Sequence, residues 1–281
     1  MYLEKVAVDY LKTVNIDKIF KKYFISELTN KTINLRGNNN EFLEHREYQY
    51  SDDLKNINWK IFAKTGKLFT KIFSTDITKD ITILLDTSYS MIAGSNIPKI
   101  EYSKYLITIT SYKLSEEGYK IILSTFNSNL GNLISFNIKN FSRMDIYLKN
   151  IKCYGKTNFK EVIKNLPNFV SKNSNILIVS DLIFIKPEEI SLLRKMFPKQ
   201  DIVIFQVLSP EEISFIDDDF AELLEPENRI KKIISPKTLK KTYLDRISEF
   251  FEKTYQIASI NKIPLITFNT SIPYYVILKS I

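Results

Sequence analysis

Ile81-Thr82-Ile83-Leu84-Leu85, running straight into Asp86-Thr87-Ser88-Tyr89-Ser90-Met91, is the stretch on which the fold turns. A short unbroken apolar run closed by polar residues reads as a β-strand buried on both faces. The turn that follows displays a carboxylate and two hydroxyls at alternate positions. All three are oxygen donors, the ligand type preferred by hard cations such as Mg²⁺. Few chemistries compete with this one, because the chain carries one histidine and one cysteine in 281 residues.

Outward from that strand, the sequence alternates buried strands with amphipathic helices. A helix is predicted from Pro98, near its first position, to Gly118, with Ile100, Tyr105, Leu106, Ile109 and Leu114 on its apolar side. Strands follow at 119–126 and, as an edge strand, at 132–136. Helices are predicted over 145–151 and 159–170, the second capped by Asn158 with Glu161 placed for a capping box. Further strands are read at 175–180, 201–208 and 263–268. Helices are read at 187–197, at 236–261 and, closing the chain, at 273–281. A hairpin is read around Pro226-Glu227-Asn228. Strands separated by helices of this length imply βαβ crossovers. The fold class is therefore α/β, a doubly wound, mostly parallel, Rossmann-like sheet. In such sheets ligands sit beyond the carboxyl ends of the strands, near the switch in strand order, and Asp86 and Asp181 both fall at strand ends.

Residues 1–79 read differently, as an N-terminal α+β decoration ahead of a domain spanning 80–281. Met1 to Phe24 looks helical, 41–50 and 67–74 look like strands, and Ser51 to Trp59 forms a turn leading into a short helical stretch. Trp59 reads as a core anchor. Asp52-Asp53 reads as a turn in which one carboxylate pairs with Arg46, and His45 as a structural or surface histidine. Asp217-Asp218-Asp219 reads as a solvated loop.

Hydrophobic residues make up 44% and charged residues 26%, as in an ordinary globular protein. The first residues lack the apolar segment of a signal peptide, and no window is long and apolar enough to span a bilayer. Cys153 has no disulfide partner in the chain and reads as a small packed residue; its solitude fits a reducing compartment and a cytoplasmic location. The formal net charge is +8. It comes from 34 lysines and only six arginines, spread along the chain. Base-edge reading and phosphate forks favour arginine, so the excess reads as a solvated surface rather than a specific nucleic-acid footprint. Peripheral contact with an anionic membrane remains compatible with it.

Three loops can converge on a cation. The first supplies Asp86, Ser88 and Ser90. The second, Tyr154-Gly155-Lys156-Thr157-Asn158, supplies the Thr157 hydroxyl, and the third supplies Asp181 after the strand Ile176 to Ser180. Three neutral hydroxyls and two carboxylates suit a divalent ion held partly through water, with a coordination position left open. The competing reading of the first loop is a cluster of helix N-caps after a strand.

These residues give the chain a resemblance to the von Willebrand factor A-like domains. Asp86-Thr87-Ser88-Tyr89-Ser90 matches their Asp-x-Ser-x-Ser motif, Thr157 their separate threonine, and Asp181 their later aspartate. The resemblance implies a metal-ion-dependent adhesion site. Ser88, Ser90 and Thr157 would hold Mg²⁺, or Mn²⁺ or Ca²⁺, directly or nearly so, and Asp86 and Asp181 would act through bound water. A second resemblance lies upstream. Glu41-Phe42, Arg46-Glu47-Tyr48, Ser51-Asp52-Asp53-Leu54-Lys55-Asn56-Ile57-Asn58-Trp59 and Ala63-Lys64 are similar to the signature of a bacterial family catalogued as domain of unknown function fifty-eight. Ser51, Lys55, Asn58 and Lys64 replace that pattern's Gly, Arg, Asp and Arg. The resemblance implies partnership with a MoxR-type AAA+ ATPase and other A-domain proteins, in assembly or maturation of proteins.

The expected function is a non-enzymatic, Mg²⁺-dependent module that binds a partner's carboxylate. The alternative is a Mg²⁺-dependent phosphatase or phosphotransferase with Asp86 as nucleophile. That chemistry ordinarily wants a second acid two residues on, where Ser88 stands. No Walker-type loop is present, and one histidine makes no convincing Ser-His-Asp set.

Overall fold

A computed structural model describes residues 40–276, apart from 51, 53, 76–79, 95, 172–173, 214–220, 226–229, 235 and 275. The helices read at 1–24 and, for the most part, at 273–281 lie outside the described residues. So do the loop at 217–219 and the hairpin turn at 226–228. The described chain divides into two compact units, one within 27–78 and one from residue 79 onward.

In the first unit, β1 (Asn40–Glu47) pairs antiparallel with β2 (Phe69–Thr75), with a register shift between Phe42 and Glu44. The connection contains a helix, α1 (Trp59–Thr65). Asn58 starts it: its side-chain oxygen accepts from the Lys60 and Ile61 amides, satisfying two of the free N–H groups of a helix start. The same side chain's amide reaches His45 Nε2 at 2.6 Å. Gly66 ends the helix in the left-handed conformation. The predicted pairing of Arg46 is present: its Nη2 donates to Asp52 Oδ1 at 2.7 Å. Asp52 Oδ2 accepts from the Gln49 amide at 2.9 Å and from Thr70 Oγ1 at 3.2 Å. The bond from the Gln49 amide, helped by the Arg46 charge and opposed by burial, holds the Asp52 carboxyl below the usual range. Trp59 departs from expectation. It is 60% exposed and meets Phe62 edge-on at 6.0 Å, because the residue after the cap faces outward on this short helix. Ile57 supplies the buried apolar contact instead.

The second unit is built on a six-stranded sheet. Its strands are β3 (Asp80–Asp86), β4 (Lys120–Phe126), β5 (Ile134–Phe136), β6 (Ser174–Ser180), β7 (Ile202–Leu208) and β10 (Leu265–Asn269), in the order β10-β7-β6-β3-β4-β5. Every pairing is parallel except that of the short edge strand β5 with β4. From β3 the chain steps outward to β4 and β5, then returns to β6 on the other side of β3 and continues outward to β7 and β10. The order therefore reverses between β3 and β6, which is the crevice where ligands bind in open parallel sheets. A separate hairpin, β8 (Ala221–Glu225) with β9 (Ile230–Ile234), brackets the predicted turn.

Alternate residues of the strands enter two apolar layers, one on each face. Ile81, Ile83 and Leu85 pack with Leu106 and Ile109 of α2 (Lys99–Glu116) and Met144 of α3 (Phe141–Asn150). On the opposite face Leu84, Ile176 and Ile178 pack with α4 (Phe159–Asn165), α5 (Pro187–Met196) and Ala258 of α7 (Pro236–Ile260). This two-faced burial explains the unbroken apolar runs. Thr82 is accommodated among them because its hydroxyl and that of Ser174 share a hydrogen bond at 2.8 Å.

Several boundaries differ from the sequence reading. α3 begins at Phe141 rather than Asp145, directly after a 3₁₀ turn at Ile138–Asn140 that Asn137 and Asn140 close with a reciprocal capping box. α4 stops at Asn165 and tightens into a 3₁₀ turn at Leu166–Asn168, where Pro167 cannot continue the helix. Asn158 caps α4 through Glu161 N–H, as predicted, but its own amide donates to Asn127 O at 2.9 Å.

Candidate functional site

The site lies at the reversal point, where the ends of β3, β6 and β7 meet. Leaving β3, Asp86 is buried. Its Oδ1 accepts from the Ser88 amide at 2.9 Å and its Oδ2 from Ser180 Oγ at 2.7 Å. The Ser88 and Ser90 hydroxyls share a hydrogen bond at 3.0 Å, and both side chains are buried. A 3₁₀ turn at Tyr89–Ile92 brings them together: Met91 N–H donates to Ser88 O and Ala93 N–H to Ser90 O.

The loop holding Thr157 lies against this turn. Tyr89 N–H donates to Gly155 O at 3.0 Å, Tyr154 N–H to Thr87 O at 2.8 Å, and Asn127 Nδ2 to Tyr154 O at 3.0 Å. Gly155 takes a φ of +73°, which lets the loop turn sharply there. Thr157 itself is half-buried, and among the described residues no hydrogen bond joins its hydroxyl to Ser88 or Ser90.

Asp181 leaves β6 beside Asp86, but its side chain is engaged elsewhere. Oδ1 accepts from the Ile183 amide at 3.1 Å, and Oδ2 accepts from Lys99 Nζ at 2.7 Å. Leu182, between them, sits at φ 62°, a conformation costing about 1–2 kcal/mol for a residue with a Cβ. Lys99 is the first residue of α2 and is wholly buried. Its ammonium also donates to Glu212 Oε1, in α6 (Pro210–Ile213) beyond β7. Glu212 Oε2 accepts from the Ser209 amide.

Sequence reasoning thus placed Asp86, Ser88, Ser90 and Asp181 at one end of the sheet and missed Ser180, Lys99 and Glu212. Ser180 carried a weak signal, a hydroxyl at the end of a buried strand. Lys99 and Glu212 carried none, being one lysine among 34 and one glutamate of an exposed-looking Pro-Glu-Glu turn.

The electrostatics follow from burial and charge. Burial first, and the neighbouring Asp181 charge second, push the Asp86 carboxyl up to about 6, against the pull of the Ser180 and Ser88 hydrogen bonds. Burial by itself would lower the Lys99 ammonium, but the carboxylates of Asp181 and Glu212 outweigh it and hold it above the ordinary lysine range. Burial raises Glu212, with Lys99 pulling the other way. Cys153, packed at the margin of the core, is pushed up to about 12 by burial and by the Asp86 charge. Three carboxylates and one ammonium therefore share this end of the sheet, a formal excess of two negative charges.

Does the donor set suit Mg²⁺? Adjacent ligands of an octahedral ion at about 2.1 Å lie about 3.0 Å apart, which is the spacing of the two serine hydroxyls. Asp86, with both oxygens already accepting, fits a role through water. Asp181 fits less simply, because an ammonium holds one of its oxygens. Among the described residues no three of His, Cys, Asp and Glu assemble into a metal-ligating group, so hydroxyls would have to supply the direct ligands.

Residues 44–248 match the model of a family described as protein of unknown function DUF58. No curated protein matches the chain. Among solved structures it is similar to BatB from Bacteroides thetaiotaomicron, at 14% identity over 70% of this chain and 97% of that one, with a TM-score of 0.42. It is also similar to the SpRpn10 VWA domain, at 14% identity over 73% and 93% and a TM-score of 0.40. An aerotolerance-related membrane protein from Bacteroides fragilis gives 15% identity over 66% and 97%, with a TM-score of 0.36. Among the described residues of the present chain, no helix is long and apolar enough to cross a membrane.

Proposed function

The chain belongs to the DUF58 family of unknown function, and on that premise we propose that it is a non-enzymatic protein-interaction module whose recognition point is a divalent-cation site at Asp86, Ser88 and Ser90. The cation, Mg²⁺ or another divalent ion, would supply an open coordination position for a carboxylate of the partner protein. Ser88 and Ser90 would hold it directly, Asp86 and Asp181 through water, and Thr157 from the adjoining loop. The partner is a MoxR-type AAA+ ATPase working with other A-domain proteins in protein assembly or maturation in the cytoplasm.

The observation that carries this reading is the charge excess at the sheet's reversal point, set beside two hydroxyls at the spacing of neighbouring octahedral ligands. A divalent ion would cancel that excess. The alternative, Asp86 as a nucleophile, is weakened by the same geometry: both of its oxygens accept hydrogen bonds, one from Ser88 N–H and one from Ser180, which lowers their nucleophilicity and fixes their direction.

The test is recovery of partners from a lysate with Mg²⁺ or with EDTA, comparing wild type with a Ser88→Ala, Ser90→Ala double variant. The ATPase should come down with wild type and Mg²⁺, and be lost with EDTA and in the variant. Equal recovery in every lane would remove the cation from the contact. Hydrolysis of a phosphomonoester that requires Mg²⁺ and vanishes in Asp86→Asn would replace the module with an enzyme.

A further inference from the structure

We propose that Lys99 is a tethered counter-cation that competes with the divalent ion for Asp181, so that the site alternates between a lysine-closed and a metal-loaded form. The inference rests on the cation site proposed above and adds the element that regulates it.

Lys99 is built into the loop that carries the serines. Ala93 ties to Ser90 through its amide, and Lys99 N–H donates to Ala93 O at 2.9 Å. The chain between them turns at Gly94, at φ +130°, where an added Cβ would stand 2.6 Å from Ile97 O. The lysine backbone is thereby held at a fixed distance from the Ser88–Ser90 pair. Its side chain reaches across to Asp181 at the end of β6 and to Glu212 beyond β7, so one ammonium joins the ends of those two strands. A buried ammonium is stable only while paired, and Glu212 gives it a second carboxylate to rest on when Asp181 turns to a metal-bound water. Two acceptors on one buried donor are what a transferable cation needs.

The experiment is Mn²⁺ binding to the full chain, by calorimetry and by the shift in melting temperature. It compares wild type, Lys99→Met, Lys99→Arg and the Ser88→Ala, Ser90→Ala double variant. Lys99→Met should bind Mn²⁺ at least about tenfold more tightly than wild type, with a larger upward shift in melting temperature. Lys99→Arg, which keeps the charge, should stay near wild type. Affinity in Lys99→Met equal to or below wild type, with binding lost in the double serine variant, overturns the competition while leaving the cation site standing. No binding in any protein, Lys99→Met included, overturns both. If Lys99→Met folds only when Mn²⁺ is supplied, the proposal is supported. If it folds under neither condition, Glu212→Gln decides. The ammonium then has Asp181 as its remaining carboxylate partner, and affinity should fall at least about threefold; an unchanged affinity overturns the proposal.

Discussion

Asp86 is a carboxyl that burial discourages from ionising, and this has a measurable sign. With chelator present, its folded-state value near 6 lies above the unfolded value of about 3.9. The folded protein therefore binds the proton more tightly than the unfolded chain. The stabilisation is complete below about pH 4, is lost as pH rises toward 6, by about 3 kcal/mol at most, and is flat beyond. Urea unfolding from pH 4 to 7 in EDTA should show that decline in wild type and not in Asp86→Asn. Cys153 gives a second reading of the same environment. With its thiol pushed up to about 12, alkylation by iodoacetamide at pH 8 should be far slower than for an ordinary thiol and should accelerate in urea, as followed by mass spectrometry. At this scale the sequence was legible where chemistry repeats locally: Asp86, Ser88 and Ser90 are two residues apart and declare themselves. It was silent where closure of the fold chooses the partner. Lys99 meets Asp181 across 82 residues and Glu212 across 113, and no spacing rule foretells either.

The elements that were easiest to read are those whose burial is most uniform. β3, β6 and β7 are covered on both faces, so their apolar residues follow one another with few breaks, Thr82 in β3 and Gln206 in β7 among them. The harder boundaries depend on side-chain hydrogen bonds. The 3₁₀ turn that leads into α3 is capped by Asn137 and Asn140, two asparagines that look like ordinary loop residues until their reciprocal bonds are seen. The approach to α2 depends on a single backbone conformation at Gly94. Gly94→Ala forces a Cβ against a carbonyl oxygen and a φ that side chains avoid, so it should destabilise by about 1–3 kcal/mol. Urea denaturation checks the magnitude. Because Lys99 follows this turn, the variant should also disturb Mn²⁺ affinity more than a surface substitution of equal stability cost.

For the molecule as a whole, the reversal of strand order between β3 and β6 fixes where a ligand can sit, and the alternation of residues between two apolar layers fixes the sheet that makes the reversal. In the unit within 27–78, Asp52 gathers Arg46, Gln49 and Thr70 between β1 and β2. Asp52→Asn keeps the shape but weakens the charge-assisted bond, worth about 1.5–3 kcal/mol. Hydrogen exchange should speed up at the Tyr48 amide, which donates to Leu68 O, while β3, β6 and β7 keep their protection. A chain with 34 lysines offers one more consequence, through a lysine amine that solvent does not reach. Acylating reagents will mark surface lysines readily and leave Lys99 bare. A label found at position 99 would therefore be a covalent record that the crevice had opened, and counting such marks over time would measure how often it does.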